Sequence, residues 1–137
     1  LDGLYVGDMP QTSYILGLTY KPIKGLRLQA LYKTYDRNYA DWSPESREVE
    51  GDADRAQVWE APGYSKLDLH ASYKLPIKGY DISLNAHVFN ALDDIFVQDA
   101  VDNSKYNGWG DKVHAPHNAE VFLGTPRYAN IGVTVNF

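Results

Sequence analysis

The sequence contains no cysteine and no long run of apolar residues. Because cysteine is absent, neither a disulfide framework nor a thiolate metal site can form. Because no apolar stretch approaches about 20 residues, the sequence predicts no transmembrane helix. Basic residues form no stripe and the net charge is −5, so we do not expect nucleic-acid binding.

Alternating side chains are the strongest pattern that is present, and they are clearest in the last eleven residues. Within residues 127–137 the apolar set is Ala129, Ile131, Val133, Val135 and Phe137, with small or polar residues between. A period of two indicates a strand with one apolar and one polar face. The same period predicts an antiparallel, all-β chain with strands at about 11–20, 26–36, 64–75, 80–90 and 127–137.

The connections between these strands alternate in length. The tetrapeptide Pro-Ile-Lys-Gly forms both short ones, at residues 22–25 and 76–79, where proline and glycine favour a tight turn. The two long connections are expected to be polar loops at about 37–63 and 91–126, and they hold most of the acidic residues. Short turns at one end and long loops at the other are typical of outer-membrane β-barrels. With the turns and the C-terminus on the periplasmic side, one orientation satisfies every segment.

Three architectures are compatible with such strands. The sequence favours a transmembrane barrel, and the alternatives are a soluble β-sandwich carbohydrate-binding module and a small oligomeric porin. Outer-membrane barrels need at least eight strands, so residues 1–137 are expected to be the five C-terminal strands of a larger barrel. The absence of an initiator methionine at Leu1 predicts a processed or partial chain. A sandwich would bury, and a barrel would leave bare, the side chains of Leu67, Leu69, Tyr73, Ile82 and Leu84.

Four stretches carry a likeness to a known family. They are VGDMPQ at 6–11, YADW at 39–42, NAHVFNALDDIF at 85–96, and the segment from Gly124 to Phe137. Together they resemble the C-terminal end of a TonB-dependent outer-membrane receptor of the Bacteroidetes type. The third stretch resembles an Asn-Leu-Phe-Asp motif, with Ala91 and Leu92 in place of Leu and Phe, and Phe96 in place of a usual Tyr.

The resemblance implies an outer-membrane receptor for active, TonB-dependent nutrient transport, built as a plugged barrel of about 22 strands. The implied partners are the remainder of the barrel and its plug, the TonB complex, the barrel-assembly machinery, outer-membrane lipid and lipopolysaccharide, and a candidate surface lipoprotein. Neither a plug nor a TonB box is present in these 137 residues. No catalytic residue, cofactor or metal is expected, and the protein is predicted not to be an enzyme.

Three groups of residues have predicted roles in such a receptor. The resemblance makes the terminal strand, with Ala129, Ile131, Val133, Val135 and Phe137, the barrel-assembly signal. The polar faces of the third and fourth predicted strands would form lumen wall, through Lys66, Asp68, His70, Asn85 and His87. Aromatic residues of the long loops would contact ligand or a partner, and they are Tyr39, Trp42, Trp59, Tyr106 and Trp109.

Two further sets of polar residues are candidates for chemistry. Pairing Leu75 with Tyr80 would set Asp68 against His87, an arrangement known from general-base sites but more common as a structural pair. His114 and His117, near Asp111, have loose spacing for a metal site, and a solvated loop is the favoured interpretation.

Overall fold

The computed structural model describes residues 3–44, 56–106 and 113–136 of the chain. Strands dominate them, which confirms the predicted all-β, antiparallel class. The described strands are β1 (Pro10–Tyr20), β2 (Leu26–Tyr39), β3 (Glu60–Ala61), β4 (Tyr64–Lys74), β5 (Asp81–Phe89), β6 (Val97–Asp102), β7 (Ala119–Leu123) and β8 (Tyr128–Asn136). Two 3-10 turns, Ser104–Tyr106 and Pro116–Asn118, also lie in this part of the chain. Within the described ranges, no helix has the length and apolar character needed to cross a membrane.

The long strands form one sheet in the order β1-β2-β4-β5-β8, and β3 pairs with the end of β2. Strands β6 and β7 form a separate two-stranded sheet. The chain divides into two compact units. The sheet unit comprises Tyr14–Thr34, Ser65–Asp94 and Thr125–Phe137. The loop unit comprises Leu1–Ser13, Tyr35–Tyr64 and Ile95–Gly124.

The loop unit has a hydrophobic core of its own. Tyr39, Ala40, Val58 and Ala100 form it, and Trp42, Trp59 and Val97 pack against it. The stretches predicted as polar loops, at 37–63 and 91–126, contain strands that the sequence pattern did not indicate. β2 continues to Tyr39, β3 lies within the first stretch, and β6 and β7 pair within the second. These short strands are stabilised by tertiary packing. Their sequences have no clear alternation of apolar and polar residues that would reveal them.

The sheet unit carries an apolar face that is not covered. Cross-strand pairs such as Leu69 with Val88 and Leu84 with Val133 lie on this face. Leu16 and Leu18 are each 70% exposed, and Ile131 is 83% exposed. The fully buried apolar side chains of the described chain all lie in the loop unit, and they are Tyr39, Ala40, Val58, Ala61, Phe96 and Ala100. Leu67, Leu69, Tyr73, Ile82 and Leu84 are half-buried or exposed.

The β4–β5 register differs from the predicted one by two residues. Lys74 lies opposite Ser83 rather than Asp81, and His70 lies opposite His87 rather than Asn85. The turn is longer than expected, because the Leu75 N–H donates to the Ile82 carbonyl at 2.9 Å. A slip of two residues leaves every side chain on its predicted face, so alternation alone cannot reveal it. Lys74 still reaches Asp81 diagonally, at 2.8 Å.

The two Pro-Ile-Lys-Gly turns place their glycines in the same backbone conformation but in different surroundings. Gly25 and Gly79 have φ of +87° and +85°. A Cβ on Gly25 would come within 2.8 Å of the Lys74 carbonyl oxygen, whereas one on Gly79 would meet nothing within 4 Å. The first turn is therefore packed against β4 at Gly25, whereas the second turn has open space around Gly79.

We expect Gly79→Ala to lower the free energy of unfolding by about 1 kcal/mol, the cost of a left-handed alanine. Gly25→Ala should cost more, about 2–3 kcal/mol, because the added methyl also displaces the backbone of β4. Urea unfolding of both variants, followed by tryptophan fluorescence, measures the difference. Equal losses for the two variants would show that the contact with Lys74 is unimportant.

Candidate functional site

A groove on the polar face of the sheet unit is the candidate site. The register sets His70 opposite His87 and Ser72 opposite Asn85. The groove has a volume of about 460 Å³. Its polar lining consists of Arg27, Gln29, His70, Ser72, Asn85 and His87. It therefore brings together three of the five predicted wall residues.

The two histidines of the groove are in direct contact. Their Nδ1 atoms are 2.8 Å apart, so one ring donates a hydrogen bond and the other accepts it. The rings are 5.0 Å apart and inclined by 61°. The Phe89 ring meets His70 edge-on at 5.4 Å and is stacked on Tyr128 at 4.7 Å. These aromatic contacts hold the imidazoles in place from one side.

Asp68, the fourth predicted wall residue, is a buried anchor rather than part of the groove. It is 4% exposed, and its Oδ2 accepts a hydrogen bond from Lys33 Nζ at 2.7 Å. Its Oδ1 accepts the Asn90 backbone N–H at 3.0 Å. The predicted pairing of Asp68 with His87 is wrong, because the two-residue slip moves His87 opposite His70. Lys66, the fifth residue, is half-buried on β4.

The Asn90 turn, residues 90–94, joins the ends of β4, β5 and β8. Asn90 has a φ of +49°, a left-handed conformation that asparagine tolerates. Its Nδ2 donates to the carbonyls of Asp94 at 3.0 Å and Thr125 at 3.2 Å. The Ala91 N–H donates to the Leu67 carbonyl at 2.7 Å. In this chain the NALDD sequence thus forms a turn that is hydrogen-bonded to Leu67 of β4 and to Thr125, which precedes β8.

No family model, curated protein or solved structure matches this chain.

The predicted contact aromatics lie in different surroundings. Tyr39 is 8% exposed and stacks on Tyr5 at 4.6 Å, so the prediction that it offers a contact surface is wrong. Trp42 donates its indole N–H to the Tyr5 carbonyl at 3.0 Å, and Trp59 also packs on the core. Tyr106 is 72% exposed. Trp109 lies outside the described residues, as do Asp111 and Phe137.

Sequence reasoning missed the aromatic side of the groove. Phe89 and Tyr128 pair directly across β5 and β8, on the same face as His87 and Asn130. Both occur at polar positions of the alternation, where a large aromatic residue is unexpected. That break in the pattern was the available signal, because an apolar residue on a polar face needs something to pack against.

His114 is buried in a polar cluster of the loop unit, which corrects the expectation of a solvated loop. Its Nδ1 lies 2.6 Å from Asp102 Oδ2 and 3.0 Å from Ser104 Oγ. A catalytic triad needs the serine and the carboxylate on different ring nitrogens. Here both contact Nδ1, so these three side chains cannot relay a proton from serine to aspartate. His117 is exposed.

Two other acids of the loop unit, Asp41 and Asp99, act on Asp8. Slight desolvation raises the pKa of the exposed Asp8, and the carboxylates of Asp41 and Asp99, with a hydrogen bond to Asp99, raise that pKa further. Asp8 also has a left-handed φ of +65°. A raised folded-state pKa means that the protonated form is favoured by folding. The stabilisation is complete below the usual Asp pKa and is lost as pH rises through the raised value.

We expect Asp8→Asn to raise the unfolding temperature at pH 7, because asparagine is uncharged and tolerates left-handed backbone. The gain over the unmodified protein should shrink as pH falls through the Asp8 titration. Asp93→Asn is the matched control, with φ of +60° but with its carboxylate 3.4 Å from Arg127 Nη2. That variant should be destabilised at pH 7. Thermal unfolding between pH 3 and pH 8 measures both, and a gain for Asp8→Asn that persists unchanged at acid pH contradicts the assignment.

Proposed function

We propose that this chain forms part of the wall of an outer-membrane β-barrel that serves TonB-dependent nutrient uptake. On this proposal β1, β2, β4, β5 and β8 cross the membrane, with the short turns on the periplasmic side. The polar face is turned to the lumen, and the loop unit belongs to the outer loops that select a ligand. The chain makes and breaks no bond in this role.

The uncovered apolar face is the observation that carries the proposal. A soluble sandwich would bury this face against a second sheet. Instead, Leu16, Leu18, Ile131 and Val133 are between 62% and 83% exposed. Exposing apolar area to water costs about 25 cal/mol per Å². Such a face is therefore unfavourable in water and favourable in lipid.

The open edges of the sheet support a larger assembly. β1 and β8 end the strand order, so each has a neighbour on one side only within the described sheet. In lipid, an unpaired backbone group costs several kcal/mol, and only closed sheets satisfy every group. Further strands must therefore flank β1 and β8 if the sheet lies in a membrane. The proposed partners are the remainder of the barrel and its plug.

The transport class rests on the resemblance of the terminal strand and the Asn90 turn to TonB-dependent receptors. The TonB complex, the barrel-assembly machinery, lipopolysaccharide and a surface lipoprotein are the proposed partners in that role. Of the described loop aromatics, Tyr106 is the one we propose for ligand contact, since it is 72% exposed.

Two measurements in the host cell test the proposed function, one of band size on a gel and one of growth. The protein from detergent-extracted outer membrane should run on a denaturing gel as a band several-fold larger than 15.4 kDa, and the band should shift on boiling. A deletion strain should lose growth on one nutrient of a panel of ferric siderophores, cobalamin and oligosaccharides, and a TonB deletion should give the same loss. A soluble, unshifted 15.4 kDa band contradicts the barrel and favours the sandwich. A heat-sensitive oligomer that boils to 15.4 kDa favours the small porin.

A further inference from the structure

The His70–His87 pair brings two imidazole nitrogens within hydrogen-bond distance of each other. The two residues are direct cross-strand partners in the β4–β5 pairing, next to the pair Leu69 and Val88. Both side chains are half-buried, and their Nδ1 atoms are 2.8 Å apart. The contact of His70 and His87 with Phe89, which is stacked on Tyr128, restricts the rings. Two imidazole nitrogens are thereby held close together on a rigid sheet.

This separation matches one kind of metal coordination. Metal–nitrogen bonds to histidine are about 2.0–2.1 Å long, so two nitrogens at 90° around a metal lie about 2.9 Å apart. At the tetrahedral angle the same bonds would separate the nitrogens by about 3.3 Å. The observed 2.8 Å therefore fits two adjacent positions of a square-planar or octahedral ion, and a tetrahedral ion would force the strands or side chains apart.

We propose that His70 and His87 form a two-histidine site for Cu²⁺, with Ni²⁺ as the second choice. Both ions take tetragonal geometry with nitrogen and oxygen ligands, and Cu²⁺ binds most tightly of the divalent first-row metals. Water fills the remaining positions, which open into the groove. This inference does not depend on the proposed transport function.

When the metal binds, a proton moves from one nitrogen to the other within one imidazole ring. In the metal-free pair one Nδ1 carries the shared proton and the other accepts it. For both Nδ1 atoms to bind the metal, the donor ring carries its proton on Nε2 instead. This is a change between neutral tautomers, so no net proton is released. Protonation of either ring to imidazolium competes with the metal, and binding weakens in acid.

The charge around the groove limits the affinity. Of the groove's lining residues, Arg27 carries a positive charge, which disfavours a second cation. Ser72 and Asn85 offer neutral oxygens on the same face of the sheet. A site with two protein ligands is therefore expected to be weaker than a three-histidine centre.

The test adds CuCl₂ alone to the purified full chain in detergent and records the electron paramagnetic resonance spectrum and the dissociation constant. We expect a tetragonal Cu²⁺ signal with two equatorial nitrogens. His70→Gln and His87→Gln should each leave one such nitrogen and weaken binding by at least about 100-fold, more than the 10- to 100-fold loss of an outer-shell group. His117→Gln, which changes an exposed histidine of the loop unit, is the control and should change neither reading.

Two results would overturn the site. One is a Cu²⁺ signal whose nitrogen count is unchanged in both glutamine variants. The other is no binding to the unmodified protein at a tenfold excess of CuCl₂. The far-ultraviolet circular dichroism spectrum checks that each variant keeps the strand content of the unmodified protein, and either variant that folds is sufficient for the comparison.

Discussion

Gly124→Ala is expected to lower the free energy of unfolding by about 3 kcal/mol, near the upper end of what overpacking a core costs. A Cβ at this position would overlap the ring carbons of Phe96. Phe96 is 6% exposed, and its ring stacks on Tyr64 at 4.2 Å, so it cannot move away without losing that contact. The Gly124 N–H also donates to the Phe96 carbonyl at 2.9 Å, which fixes the two backbones.

Gly132→Ala is the matched control, because a Cβ there meets nothing within 4 Å. We expect a change within about 0.5 kcal/mol, as for other open surface positions. Phe96→Leu should recover part of the Gly124→Ala loss, since a smaller side chain leaves room for the methyl. Urea unfolding of the detergent-purified protein measures all of these variants. Similar losses for Gly124→Ala and Gly132→Ala would contradict the packing described here.

Asp68→Asn should be the second large effect, at about 3 kcal/mol, because one partner of a buried ion pair is removed. The carboxylate satisfies Lys33 with one oxygen and the Asn90 N–H with the other. An asparagine has one acceptor oxygen and one donor NH₂ group. Either Lys33 or the Asn90 N–H, both donors, would therefore face the NH₂ group. Lys33 is then left charged, with a side chain only 24% exposed.

Asp81→Asn tests whether burial is the cause. Asp81 makes a pair with Lys74 of nearly the same length, 2.8 Å, but its side chain is 44% exposed and that of Lys74 is 60% exposed. Water screens such a pair, and we expect no resolvable loss. The double variant Lys33→Met with Asp68→Asn should recover part of the stability, since the lysine charge is removed together with the carboxylate. If Asp81→Asn costs as much as Asp68→Asn, the anchoring role of Asp68 is wrong.

The faces of the sheet could be predicted from sequence, but their pairing could not. Alternation assigns Leu69 and His70 to opposite faces wherever β4 lies, because the period of a strand is two. It gives the same answer for registers that differ by two residues, so it could not place His70 against His87. The actual register depends on the backbone hydrogen bonds of the turn, such as Leu75 to Ile82.

The role of Asp68 also lay beyond the sequence pattern. In the alternation it is equivalent to His70, yet it is an anchor while His70 lines the groove. That difference is set by Lys33, 35 residues earlier, and by the Asn90 turn. The core around Tyr39 was missed for a similar reason. Its members come from separate segments with no common period, and only tertiary packing brings them together.

The proposed function requires the apolar face of the sheet to lie against lipid. The chain has no cysteine, so single-cysteine variants can carry a spin label at one chosen position. Val133 and Thr134 are neighbours on β8 with side chains on opposite faces, and Leu84 and Asn85 are such a pair on β5. The measurement is the collision rate of each label with oxygen, which dissolves in lipid, and with a water-soluble nickel chelate, in the reconstituted protein.

We predict that labels at Val133 and Leu84 collide with oxygen and not with the nickel chelate. Labels at Thr134 and Asn85 should show lower oxygen accessibility, so that accessibility alternates with a period of two along each strand. Labels at Val133 and Leu84 that collide with neither reagent would mean that a second layer of protein covers this face. Labels there that collide with the nickel chelate would mean that the face is in water, and either result contradicts the barrel.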